Sequence, residues 1–216
     1  DVLNAVFTIP NNLRKLMAEG ALSSAFIPAL SNSLVKDSTG KRAQNIVQNI
    51  LTFQSVVLIP FCILSIIFAK PLISFVLVDF DKPEQVELAI RLFRWFISYL
   101  FLISISAAIM GTLNSHNEFL IPALTPMLFS VAVISSILLL HTYLGVFSMV
   151  VGVLAGGILQ VLFQTPRFYK LGYNFTPNIR FSNPDFKKIV KNWLPVVATS
   201  SIFTINQQVA VRFATG

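Results

Sequence analysis

The chain has 216 residues, 55% hydrophobic and only 12% charged, with a mean hydropathy of +0.74; a soluble domain carries about 25% charged residues, so this composition excludes one and indicates a membrane chain. An apolar helix needs roughly 20 residues to cross a bilayer, which leaves room for about six spans and no sizeable soluble domain. The formal charge of +7 comes from Lys and Arg in short connections between apolar runs, where they orient the chain and touch membrane lipids, so no nucleic-acid partner is expected.

The fold class expected is all-α, a polytopic transmembrane helix bundle with spans at about 2–31, 50–69, 95–114, 119–140, 147–163 and 193–216. The four middle runs are free of formal charge. The first is interrupted by Asn11, Asn12, Arg14, Lys15 and Glu19, and the last contains Asn206, Gln207, Gln208 and Arg212. Strands are a poor alternative, because the runs lack the two-residue alternation of a membrane barrel. The single cysteine, Cys62, lies inside a span and cannot form an intramolecular disulfide. The chain starts at Asp1 and ends inside an apolar run, so it is expected to be a piece of a longer protein with at least one further helix ahead of it.

Six spans make five connections that alternate sides. The first, third and fifth carry Lys36, Lys41, Arg42, Arg167, Lys170, Arg180, Lys187, Lys188 and Lys191. The other side carries Lys70, Lys82, Arg91 and Arg94 beside the acidic Asp79, Asp81, Glu84 and Glu87. The richer set belongs in the cytoplasm. The longest connection, 166–192, is basic, contains Pro177 and Pro184, and reads as a cytoplasmic linker.

The strongest functional signal lies in the first span, where Arg14, Lys15 and Glu19 fall near the bilayer centre. A charge there costs roughly 2.5–3.5 kcal/mol, so these groups should face a protein interior or a watery cavity. Pro10 and Gly20 fit a broken helix whose backbone lines that cavity, and Asn11, Arg14 and Lys15 share one helical face. One reading is an anion site in which a guanidinium grips phosphate oxygens. The other is an interfacial turn whose cations snorkel to lipid phosphate.

Elsewhere, Arg91 and Arg94 share a face with Glu87 within pairing distance of Arg91, which suits interfacial anchoring or contact with a departing polar substrate. Gly156, Gly157, Gln160 and Gln164 suit close helix packing or a polar stripe. Walker, HExxH, GxSxG and dinucleotide fingerprints do not occur, and His116 and His141 fall at opposite membrane faces. No enzyme chemistry and no metal site are expected. Asp79-Phe80-Asp81 matches a DxD triplet but reads more simply as an acidic loop.

The run Ile9-Pro10-Asn11-Asn12-Leu13-Arg14, followed by Ala18-Glu19-Gly20-Ala21 and Ala25-Phe26-Ile27-Pro28, resembles the second-helix signature of the MurJ/MviN lipid II flippase family. The resemblance continues through Leu113-Asn114, Ile121-Pro122-Ala123 with Pro126, Gly156-Gly157 with Leu159-Gln160, Gln164-Thr165-Pro166, and Val190-Lys191 with Pro195. It covers the whole chain, as the second to seventh of the family's usual fourteen helices. It implies the N-terminal lobe of the MOP exporter fold, working by alternating access on lipid II, a lipid-linked peptidoglycan precursor, in the bacterial cytoplasmic (inner) membrane.

The resemblance further implies that Arg14 contacts pyrophosphate, that Asn11 and Glu19 hold the broken helix, and that Asp1 lies near the outward gate. Another polyprenyl-linked saccharide is the alternative cargo. Cell-wall synthesis proteins are the implied protein partners. No cofactor is expected. The chain departs from the family at Thr204-Ile205-Asn206 with Ala210, which removes an acidic residue and counts against a sodium site, at Ser130 in place of an Asn, and at Thr8 in place of a Lys.

Overall fold

A computed structural model describes residues 3, 6–8, 11–12, 21–37, 39–76, 83–196 and 198. The helices are α1 (Ala21–Lys36), α2 (Lys41–Ile67), α3 (Ala69–Val76), α4 (Pro83–Ser115), α5 (Leu120–Leu144) and α6 (Phe147–Lys170), followed by α7 at 184–196. Short helical stretches at 6–8 and 11–12 precede α1. Helices α2, α4, α5 and α6 are each long and apolar enough to cross a membrane. They extend past the apolar runs on which the sequence reading drew the crossings, because polar residues at helix ends still satisfy backbone hydrogen bonds. The last span, expected at 193–216, lies outside the described residues beyond 198, as does the Asp79-Phe80-Asp81 triplet.

The 33-residue α4 packs against α1, α2, α3, α5 and α6. Of its apolar 18-residue stretch 72% is buried, against 11% for α5, so α4 is the interior post and α5 lies on the outside of this bundle. At one end Phe26, Leu30, Ile46, Ile50 and Leu113 form a core that also takes in Phe168 and Tyr173. At the other, Leu58, Ile73, Leu92, Phe96 and Val153 form a second.

Close approach of α5 and α6 depends on small residues. A Cβ added at Gly152 would lie 2.8 Å from the Val133 Cα, and one at Gly156 would lie 2.7 Å from the Phe129 ring. The packing reading of Gly156 is thus what the structure shows. Polar bonds inside the apolar layer add further ties. Gln54 Nε2 donates to Ser104 Oγ (2.9 Å), Gln164 Nε2 to Ser106 Oγ (2.7 Å), and Ser136 Oγ to the Ser148 carbonyl (2.7 Å). Such bonds contribute about 0.6 kcal/mol on average between membrane helices.

The end bearing the first, third and fifth connections is the more elaborate. The α1–α2 turn reverses through Gly40 at φ +70°, a left-handed conformation with nothing within 4 Å of a Cβ position, so backbone angle rather than space selects glycine. Asp37 closes it, accepting from the Thr39 hydroxyl (2.6 Å) and backbone N–H (3.0 Å) and from the Arg42 N–H (2.9 Å). The Thr39 hydroxyl, then those backbone donors, hold the Asp37 carboxyl below its ordinary range.

The 166–192 segment read as a linker is helical at both ends: α6 runs through Pro166 to Lys170, and helix resumes at 184. The residues between form a strap on α2. Gln48 donates to Asn174 Oδ1 (2.6 Å), Asn178 N–H to Thr52 Oγ1 (2.8 Å), and Asn49 to the Arg180 carbonyl (3.2 Å). Arg42 grips Asp185 through Nε (2.7 Å) and an Nη (2.5 Å), and Arg42 is the main reason the Asp185 carboxyl is held below its ordinary range. Arg167 pairs with Glu118. His116 shares a hydrogen bond with the Tyr173 hydroxyl (2.7 Å), whose ring stacks on Phe168 (5.4 Å). Burial pushes the Tyr173 phenol up to about 12.

Two predictions follow from this architecture. Gly152→Ala forces the α5 and α6 backbones apart and should lower stability by about 1–3 kcal/mol, read as a drop in the melting temperature of the detergent-solubilised protein. Burial lowers the His116 pKa from 6.5, against an opposing pull from Glu118, so the neutral ring is the folded form. Its contribution is complete above about pH 6.5 and is lost as pH falls through the lower folded value. Melting curves between pH 7.5 and pH 5 should show an acid-side loss that His116→Gln reduces.

Candidate functional site

Of the four residues singled out for binding, Asn11 is described, and Asp1, Arg14 and Glu19 lie outside the described residues together with Lys15, Pro10 and Gly20. Asn11 is therefore the one of the four whose surroundings the structure shows. It lies on a helical stretch ahead of α1 and lines a cavity of about 280 Å³ between that stretch, α4, α5 and α6. Tyr99, Phe129 and Phe7 supply aromatic wall, and Ser106, Thr125, Ser130 and Gln160 supply polar groups. Among the described residues, none that lines it carries a formal charge.

Local sequence explains each wall. Ser104 and Ser106 alternate with Ile103 and Ile105 on α4, so Gln54 of α2 and Gln164 of α6 each meet a hydroxyl. Gln160 and Gln164 are one turn apart on α6, and Gln164 Nε2 also donates to the Gln160 carbonyl (3.0 Å). Gln160 Nε2 reaches the Thr125 carbonyl (3.3 Å), and the Thr125 hydroxyl is bonded to the Ile121 carbonyl (2.8 Å). Among the described residues, the buried Oε1 atoms of Gln54, Gln160 and Gln164 have no partner. Each unpartnered acceptor retains a desolvation cost of about 1–3 kcal/mol that a water or another donor would relieve.

The polar stripe expected on the fifth span is thus both helix glue and cavity wall. Ser106, Thr125, Tyr99 and Phe129 were not singled out from the sequence. A hydropathy window averages isolated hydroxyls away among Ile and Ala, and only their spacing opposite Gln164 and Gln160 shows what they serve. Ser130, noted only as a departure from the family's Asn, lines the same cavity. Arg91 pairs with Glu87 one turn away at the opposite end of α4, both side chains exposed. His116 and His141 are separated by the length of α5. Asn206, Gln207, Gln208, Thr204 and Ala210 lie outside the described residues.

The family model described as "Lipid II flippase MurJ" matches residues 1–216. The chain belongs to the lipid II flippase MurJ family. It is 33% identical over 214 residues to a probable lipid II flippase MurJ of Borreliella burgdorferi, covering 99% of this chain and 42% of that protein. It is 34% identical over 208 residues to the Rickettsia prowazekii counterpart, covering 95% of this chain and 41% of that protein. A solved structure titled "Lipid II flippase MurJ, inward closed conformation" matches with a TM-score of 0.78 at 26% identity, over 96% of this chain and 42% of that one. The chain thus spans about two fifths of the length of the MurJ relatives it matches. With four helices of crossing length, this is a multi-pass membrane protein of the MurJ family.

The cavity carries its own prediction. If water fills it, Ser130→Cys should react with a small water-soluble methanethiosulfonate reagent, whereas the native Cys62, buried with its thiol directed at the Ile97 carbonyl, should not.

Proposed function

We propose that the protein, as part of a full-length flippase, moves lipid II from the inner to the outer leaflet of the bacterial cytoplasmic membrane by alternating access, without covalent chemistry. Family membership over the entire chain carries this reading. Its support from physical chemistry is a cavity with polar lining at Ser106, Thr125, Ser130 and Gln160 that also takes in Asn11, three residues ahead of Arg14 in the sequence. Arg14 is assigned to the pyrophosphate, Asn11 and Glu19 to holding the broken helix, and Asp1 to the outward gate.

The orientation proposed puts the Lys36, Arg42, Arg167 and Lys188 end in the cytoplasm, in line with the excess of cations there. A flippase has to give the charged headgroup a polar path while the tail stays in lipid. A wall of hydroxyls and carboxamides suits that task, because each group offers a hydrogen bond without the grip of a fixed ion pair, and release belongs to the cycle.

The test uses full-length protein in a host whose own flippase is depleted, measuring lipid II exposed on the outer leaflet. Wild type should restore exposure. Arg14→Ala at equal membrane abundance should reduce it about tenfold or more, the loss of one charge-assisted contact. Restoration by both returns Arg14 to a snorkelling role. No restoration by correctly inserted wild type shifts the cargo to another polyprenyl-linked saccharide.

A further inference from the structure

A second cavity, of about 260 Å³, lies at the basic end between α1, the start of α2 and α7, away from the Asn11 cavity. Its α1 wall is one helical face on which Ala25, Pro28 and Ala29, flanked by Ser24 and Ser33, lead to Asn32 and then Lys36. At about 1.5 Å per residue the face changes from apolar to cationic over about 16 Å. The opposite wall carries Lys188 and Asn192, one turn apart on α7.

The charges at the mouth are partitioned. Arg42 and Asp185 both line the cavity, but both Asp185 oxygens are taken by Arg42. Lys36 and Lys188 are close enough to lower the Asp185 pKa, yet among the described residues neither makes an ion pair within 4 Å. Three cations against one carboxylate leave a net charge of +2 facing the space. Asn32 and Asn192 add exposed carboxamides beside the lysines.

We infer that this groove is a binding site for the phosphate of a lipid headgroup, with Lys36 and Lys188 on the phosphate oxygens and the lipid's apolar portion along Ala25, Pro28 and Ala29. The make-up of the wall selects the ligand class. A cationic pair at the basic end of a membrane bundle, next to the apolar Ala25, Pro28 and Ala29, meets an amphiphilic anion far more often than a free one. Two lysines are hydrated point charges without the forked geometry of a guanidinium, which suits a headgroup that binds and leaves. The inference does not rest on the transport reading, since a phospholipid and a polyprenyl pyrophosphate present the same phosphate chemistry.

The experiment takes full-length protein in detergent and titrates phosphatidylglycerol and undecaprenyl pyrophosphate separately by native mass spectrometry, with phosphatidylcholine as the zwitterionic reference. The variant Lys36→Gln/Lys188→Gln should bind at least one of the two anionic lipids about thirtyfold more weakly, each lysine near the surface contributing about 1 kcal/mol. Lys187→Gln/Lys191→Gln removes the same charge from neighbouring positions of α7 that do not line the groove and should leave binding unchanged. Loss confined to phosphatidylglycerol identifies a resident membrane lipid; loss confined to undecaprenyl pyrophosphate identifies a docking point for a pyrophosphate-bearing cargo. Lys36→Arg/Lys188→Arg, which keeps both charges, should retain binding and guards against a folding defect in the Gln pair. Equal affinities in wild type and Lys36→Gln/Lys188→Gln for both lipids, or equal losses in the two Gln variants, would overturn the site.

Discussion

Lipid tails are as apolar as leucine, so they provide almost no hydrophobic force to hold one membrane helix against another; close packing and internal polar bonds must do it. The fold depends on how α4 meets that constraint. It carries Ser104 and Ser106 where Gln54 and Gln164 approach, and it offers Tyr99 and Leu102 to the glycine face of α6 at Gly157. Removing α4's small and hydroxylated positions would leave the other helices with apolar faces equally content in lipid. The same reasoning explains why α5, mostly exposed in this bundle, is held through α6 at Gly152 and Gly156.

Those ties also create the candidate site. A carboxamide that fastens two helices has one donor group and one acceptor, and here the donors are used while the acceptors of Gln160 and Gln164 stay unpartnered. Polar capacity left over inside an apolar layer is a standing cost, and the Gln160 residue bearing it also walls the cavity beside Asn11. Packing and polarity are therefore not separate demands on α6. Its small residues allow the approach to α5, and its glutamines, on the same stretch of helix, give the cavity part of its polar wall.

Much of the bundle was legible because a continuous apolar run of crossing length has few other fates, and the middle four runs contain no formal charge to blur their extent. The 171–183 strap was not legible. Its bonds join residues 126 to 133 positions apart, such as Gln48 with Asn174 and Asn45 with Asn178, and polar residues between two apolar runs look alike in sequence whether they hang free or are fastened. Of the cavity wall, Asn11 stands out in the sequence because it shares a helical face with Arg14 and Lys15 and falls in the motif that carries the resemblance. Ser106 and Thr125 were hidden because a hydroxyl bonded to its own helix, as Thr125 is to Ile121, barely disturbs an apolar pattern.

The division of labour among the cations follows from their chemistry. Each of the three ion pairs among the described residues uses an arginine: Arg42 with Asp185, Arg91 with Glu87 and Arg167 with Glu118. Arg42 engages two nitrogens at once, which a planar fork does better than an ammonium, and the pair fixes the start of α7 on the start of α2. Arg167 does the same for the α4–α5 turn on α6. With Arg42 and Arg167 committed to holding helix ends together, Lys36 and Lys188 remain at the same end of the bundle as charges without an ion pair among the described residues. That end can then be rigid in its backbone and still adaptable toward lipid, because fastening falls to groups that bind in one geometry and lipid contact to groups that bind in many.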